Sequence, residues 1–166
     1  MTNTNTPNDA NIISYKPNFK EQLFNFYRTV FTELGWGFDP ADRHSDISDI
    51  KNAYQATGGF WCLFHDGIII GTVAIRQIDD SPKTAELKRL YILGDYQNRG
   101  YGNLLFKYAL NFASQNGFQR IRLDTQRDRI AMRHLINMHG FFEIECYNNN
   151  LYAELFYEKI LSPGKQ

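Results

Sequence analysis

Cysteine is the scarcest chemistry-bearing residue type that bounds the function of this 166-residue chain: it holds two, Cys62 and Cys146. Each stands alone inside a strand-like run, without the paired spacing of a zinc site or the density of a disulfide scaffold, so both are expected as buried free thiols. The four histidines show no metal-ligand spacing with either cysteine, and no metal is implied. An excess of either charge is also missing. Lys+Arg and Asp+Glu number 18 each, so no overall field draws in nucleic acid or an anionic membrane, and neither is expected as a partner. No apolar run approaches the length of a membrane span, and MTNTNTPNDA has neither the basic start nor the apolar centre of a targeting segment. The expectation is a cytoplasmic protein, with residues 1–10 a flexible polar tail and residues 11–166 a single domain. Apolar residues, at 43%, suffice for a proper core.

What is present is a clear alternation of periods. Asn11 to Lys16 reads as a strand, and from Asn18 the residues Phe19, Leu23, Phe26, Tyr27, Val30, Phe31 and Leu34 recur at helical spacing until Gly35. A weaker helix carries Ile47, Ile50 and Tyr54 and ends near Gly58-Gly59. FWCLFHDGIIIGTVAIRQID reads as two strands joined at Asp66-Gly67, a pair suited to a tight hairpin turn. TAELKRLYIL is a further strand, followed by a helix that buries Leu104, Leu105, Tyr108, Ala109 and Phe112. RIRLDT is a strand, DRIAMRHLINM a helix closed by Gly140, and FFEIECY and YAELFYEKIL the last two strands. The order β-α-α-β-β-β-α-β-α-β-β implies an α/β fold with a mixed, mostly antiparallel sheet of about seven strands flanked by helices.

One stretch points to chemistry. In LYILGDYQNRGYG, Leu90 to Gly102, an apolar strand breaks into a polar turn, and Arg99-Gly100-Tyr101-Gly102 stands where an amphipathic helix begins. Glycine there marks a sharp turn or a close backbone approach, and the free N–H groups of a first helical turn form a ready anion site. No Lys-Ser/Thr follows the second glycine, and the third glycine of a dinucleotide fingerprint is absent. A pyrophosphate cradle, built from the amides of about Asn98 to Asn103 with help from the helix dipole, fits what is left.

The order of elements, with Gln97-x-x-Gly100-x-Gly102 between the fourth strand and its helix, resembles the GNAT superfamily of acyl-CoA-dependent N-acetyltransferases. The resemblance covers roughly Ile12 to Ile160 and takes in a later motif, a helix followed by Gly140-Phe141. It implies acetyl-CoA as co-substrate, with the turn from Gln97 through Asn98, Arg99, Gly100, Tyr101 and Gly102 to Asn103 on its pyrophosphate. The pantetheine arm would pair with Leu90, Tyr91 and Ile92. Glu86 lies eleven positions before Gln97, the separation of a general-base glutamate in part of the family. It is expected to act through water, because a carboxylate is a poor direct match for an ammonium. The tyrosine often found four residues before the Gly-Phe is replaced by Ile136. Tyr147, Tyr152, Tyr157 and His134 are substitutes among which the sequence does not choose. Of Arg120, Arg122, Arg127, Arg129 and Arg133, one or two could meet the coenzyme's adenosine phosphates, although a solvated face laced with Asp124 and Asp128 accounts for them better.

In the resembling fold, WGFDPADRHSDISD and CYNNNLYAE would wall the acceptor site. Trp36, Phe38 and Asp39, with Asp42, Asp46 and Asp49 nearby, suit a cationic amine, although helix capping accounts for aspartates equally well. The resemblance therefore implies transfer of an acetyl group to a primary amine of a small molecule or amino acid by direct attack on the thioester. A peptide or protein amine is the alternative acceptor, a non-catalytic acyl-CoA-binding module is the alternative of another class, and a homodimer is compatible with either.

Overall fold

A computed structural model describes residues 9–162. Seven strands form one sheet in the order β1-β2-β3-β4-β5-β7-β6: β1 is Ala10–Ser14, β2 Gly59–His65, β3 Ile68–Asp80, β4 Lys83–Ile92, β5 Arg120–Thr125, β6 Phe142–Ile144 and β7 Leu155–Ile160. Neighbours are antiparallel except β4 and β5, which run parallel because helix α3, Tyr101–Gln115, carries the chain back between them. The tail expected over residues 1–10 lies outside the described residues as far as residue 8. Ala10 already pairs with His65 in the sheet, and Asp9 accepts hydrogen bonds from His65 and from Tyr101.

Period-two alternation divides each strand between two cores. Ile70, Val73 and Ile75 of β3 face Leu105, Phe106 and Ala109 of α3 and Ile136 of α4, Ile130–Met138. Ile69 and Ala74 face Leu23, Tyr27, Val30 and Phe31 of α1, Lys20–Glu33. Asp66 and Gly67 both take positive φ, as the β2–β3 hairpin turn requires. No helix among the described residues is long and apolar enough to cross a membrane.

The expected second helix is broken into α2, Ser45–Ser48, and a single wide turn over Lys51–Gln55. Between them the Asp49 carboxylate accepts from the Asn52 backbone and side chain, the local competition that interrupts helices. The strand expected over FFEIECY stops at Ile144. Downstream, Asn148 and Asn150 each accept a hydrogen bond from the N–H two residues on, at 3.1 Å, and so turn the chain locally. Of the two cysteines expected to be buried, Cys62 is, with burial pushing its thiol up to about 12. Cys146 is exposed, because the strand it was assigned to ends before it.

Gly58 leads into β2 against the main chain of β3, and a Cβ there would run into the Ile75 carbonyl. Gly58→Ala is therefore expected to lose about 2–4 kcal/mol in urea unfolding, since a backbone clash has no side chain to yield. Gly67→Ala, whose Cβ would meet nothing, should lose only the cost of its positive φ, about 1 kcal/mol.

Candidate active site

The parallel strands part early. β4 and β5 are in register only at Thr84–Arg120, Ala85–Ile121 and Glu86–Arg122, and from Leu87 to Ile92 β4 pairs with β3 alone. A bulge helps to turn β4 away: register shifts between Thr72 and Ala74 of β3, opposite Arg89, which has φ +56. A buried chain of hydroxyls holds that conformation. Tyr27 donates to Thr72 Oγ1 at 2.9 Å, and Thr72 donates to the Arg89 carbonyl at 2.7 Å.

A cavity of about 610 Å³ fills the opening. Its walls come from β4 (Leu87 to Tyr91), the loop after α1 (Trp36 and Asp42 to Asp46), the start of α4 (Arg129 and Met132) and the late connection Asn149 to Ala153. The expected wall segments thus contribute, but Phe38 and Asp39 do not line it. Phe38 packs among Phe24, Tyr27, Phe31 and His44. Asp39 accepts from the N–H groups of Ala41 and Asp42 and so caps a turn.

Charge in the lining is mostly committed. Arg89 grips Asp46 through two hydrogen bonds of 2.8 and 2.7 Å, and Tyr54 donates to the same carboxylate. Burial works to raise the pKa of Asp46, but the bonds and charge of Arg89 outweigh it and hold the group below its ordinary value. Lys88 lies 3.5 Å from Asp124, which also accepts from Asn148 and Asn150. Arg76 donates twice to Glu86 Oε1, at 2.9 and 2.7 Å.

Glu86 lies on β4 but does not line the larger cavity. The carboxylate is 1% exposed, and Oε2 accepts from Tyr147 at 2.7 Å and Asn148 at 3.3 Å. It borders a smaller cavity of about 220 Å³ with Arg122 and Tyr147, while Arg76 lines both cavities and stands between. Burial, then the Glu86 charge, pushes the Tyr147 hydroxyl well above its ordinary pKa. The other substitutes for the missing tyrosine separate cleanly: Tyr157 is core, His134 is exposed, and Tyr152 lines the larger cavity. Ile136 is fully buried in the core.

At the far end of the free edge lies the turn expected to bind phosphate. Asn98 and Gly100 take positive φ, and among the described residues no acceptor meets the N–H groups from Asn98 to Asn103. The Gln97 N–H is already bonded to the Gly94 carbonyl, and its side chain donates to the Ile92 carbonyl, so it shapes the turn. Asn103's side chain likewise turns away, to His139. Gly102 has ordinary helical φ, and a Cβ there would meet only Leu135 at 3.7 Å.

A sequence model of the family described as Acetyltransferase (GNAT) family matches residues 20–141. The chain belongs to the GNAT acetyltransferase family. Among its relatives, N-acetylaspartate synthetase of Xenopus tropicalis is 31% identical over 109 residues, 64% of this chain and 40% of the relative. This GNAT acetyltransferase spans less than half the length of the curated relatives it matches. An acetyltransferase from Streptococcus agalactiae 2603 superposes with a TM-score of 0.81 at 27% identity, covering 93% of this chain and 99% of that one. The yncA protein of Salmonella typhimurium, a putative acetyltransferase solved with acetyl-CoA, shares the fold at a TM-score of 0.72 and 17% identity, over 93% and 95% of the two chains.

Arg43, Lys88 and Arg89 line the cavity without having been singled out in the sequence, and Arg129, weighed there only for the coenzyme's phosphates or a solvated face, lines it too. The bulge displaces Arg89 from its period-two position, and Arg43 and Arg129 meet the cavity only through the packing of their loops. His44, 3% exposed, lines the cavity with its ring against Phe31. Its Nδ1 accepts the Asp39 N–H at 3.0 Å. Burial first, then Arg89 and Arg43, lower its pKa below 6.5, against Asp46 and Asp39. The unfolded chain thus binds a proton that the fold resists, so stability rises with pH through this window and is fully present above it. The gain in melting temperature from pH 5 to pH 7 should be smaller in His44→Asn, which keeps an acceptor but cannot titrate.

Proposed function

We propose that the chain transfers an acetyl group from acetyl-CoA to a primary amine of a small molecule or amino acid, by direct attack on the thioester. The observation that carries this is the free edge of β4 running from an unpartnered N–H turn to a cavity of small-molecule size. A pyrophosphate would take the amides of Asn98 to Asn103 at the mouth of α3. The pantetheine arm would pair along Leu90, Tyr91 and Ile92, of which Leu90 and Tyr91 line the cavity. The relative that bears the name of an N-acetylated amino acid supports the small acceptor.

The amine must attack as a neutral nucleophile, a handicap of roughly 4–5 kcal/mol at pH 7 for an alkyl ammonium of pKa near 10.4. Cations in the lining without a carboxylate partner among the described residues, Arg43 and Arg129, disfavour the ammonium form and so reduce that handicap. The departing thiol, with pKa about 8.5, leaves as thiolate for about 2 kcal/mol. Glu86 enters as a positioning residue rather than as the base read from its spacing. A carboxylate that already accepts from Arg76, Tyr147 and Asn148 has its oxygens committed, and it borders the smaller cavity rather than the larger one. Its work is to fix Arg76 under the cavity floor and to tether the late connection through Tyr147.

Two measurements test this. In Gly102→Ala the helix should gain up to about 1 kcal/mol of stability, since the methyl fits. The same methyl obstructs close phosphate approach, so calorimetric affinity for coenzyme A should fall by about tenfold or more. Equal affinity removes the cradle. In Glu86→Gln, kcat/KM should fall by up to about 10²-fold through misplacement, by the same factor at every pH from 7 to 9. A loss that shrinks as pH rises restores Glu86 as the general base.

A further inference from the structure

Two guanidinium groups at the cavity have no carboxylate to answer them. Arg76, Lys88 and Arg89 are each paired, with Glu86, Asp124 and Asp46. Among the described residues, Arg43 and Arg129 lie within 4 Å of no carboxylate. We propose that Arg129, with Arg43 at the mouth, recognises a carboxylate of the acceptor, so that the amine acetylated belongs to an amino acid. This rests on the acetyltransfer reading and narrows it.

Arg129 carries most of the weight. Its Nη1 is buried and finds no hydrogen-bond partner, a condition that costs a donor its hydration and that a ligand oxygen would relieve. Its guanidinium stands 5.7 Å from the ring centroids of both Trp36 and Tyr91. Arg43 is exposed, 3.8 Å over the Tyr152 ring and 5.8 Å from the same indole. Stacking immobilises a guanidinium and leaves its N–H edge free, the arrangement that suits two-point contact with a carboxylate. A simple alkylamine offers those donors nothing. Asp42 also borders the cavity, without a cationic partner within 4 Å among the described residues, and complements the ammonium of an amino acid as it arrives. The coenzyme's phosphates are the other source of negative oxygen, but none of the cradle residues from Asn98 to Asn103 lines this cavity.

The experiment compares α-amino acids with their matched α-carboxamides as acceptors, by thiol release from acetyl-CoA, in the parent and in Arg129→Gln, Arg129→Lys and Arg43→Gln. Retained coenzyme A binding shows that each variant folds. The parent should prefer the acid over the carboxamide by at least about tenfold in kcat/KM, and Arg129→Gln should abolish that ratio, as the loss of a charged hydrogen-bonded pair predicts. Arg129→Lys should recover it only in part. A parent that turns over carboxamides as well as acids overturns the inference and leaves the acetyltransfer reading intact. A variant that raises KM for acetyl-CoA while the ratio holds also overturns it, assigning the arginine to the coenzyme. If no amine releases thiol, the acetyltransfer reading fails. The carboxylate site is then decided by thermal shift with N-acetylamino acids against their carboxamides: a shift specific to the acid and lost in Arg129→Gln upholds it, and none overturns it.

Discussion

Strands β4 and β5 hold together for three register positions and no more, and the rest of the molecule is arranged around that parting. A parallel pair left open in the middle of a sheet exposes unpaired backbone, which proteins elsewhere avoid or cover. Here the opening is bounded by the start of α4, the late connection and the loop after α1, so that it becomes a lined cavity. The Arg89 bulge, with positive φ at a non-glycine residue, carries strain of about 1 kcal/mol or more. It is held by the Thr72 hydroxyl on its carbonyl and by Asp46 on its side chain. Strain fixed by buried partners beside an unpaired strand edge is a feature of a functional site rather than of a scaffold.

The second consequence is electrostatic. A chain with balanced overall charge builds a cavity lined by Arg43, Arg76, Lys88, Arg89 and Arg129 against Asp42, Asp46 and Asp124. Glu86, from beneath, answers Arg76 and leaves one positive charge in excess. On the acetyltransfer reading proposed above, such a lining would act twice, by favouring neutral amine over ammonium and by offering donors to anionic oxygen. Of the aspartates that suited a cationic acceptor when read from the loop alone, Asp46 and Asp39 are, once folded, a partner of arginine and a cap of a turn, while Asp42 keeps its place in the lining.

The amino-acid sequence by itself determined what depends on neighbours along the chain. Hydrophobic periods placed α1, α3, α4 and the strands, Asp66-Gly67 marked a hairpin, and Gly100 and Gly102 marked a turn with free amides, because φ, helix ends and alternation are local properties. Where a side chain competed with the backbone, as at Asp49 or Asn148, even local reading overran the element. Tertiary structure alone decided the pairings: Arg89 with Asp46, 43 residues apart, and Glu86 with Tyr147, 61 residues apart. The same aspartate or glutamate is a base, a cap or a buried anchor according to which distant group it meets. That choice rests on desolvation and Coulomb energy in the folded interior, neither of which has any counterpart in the order of residues.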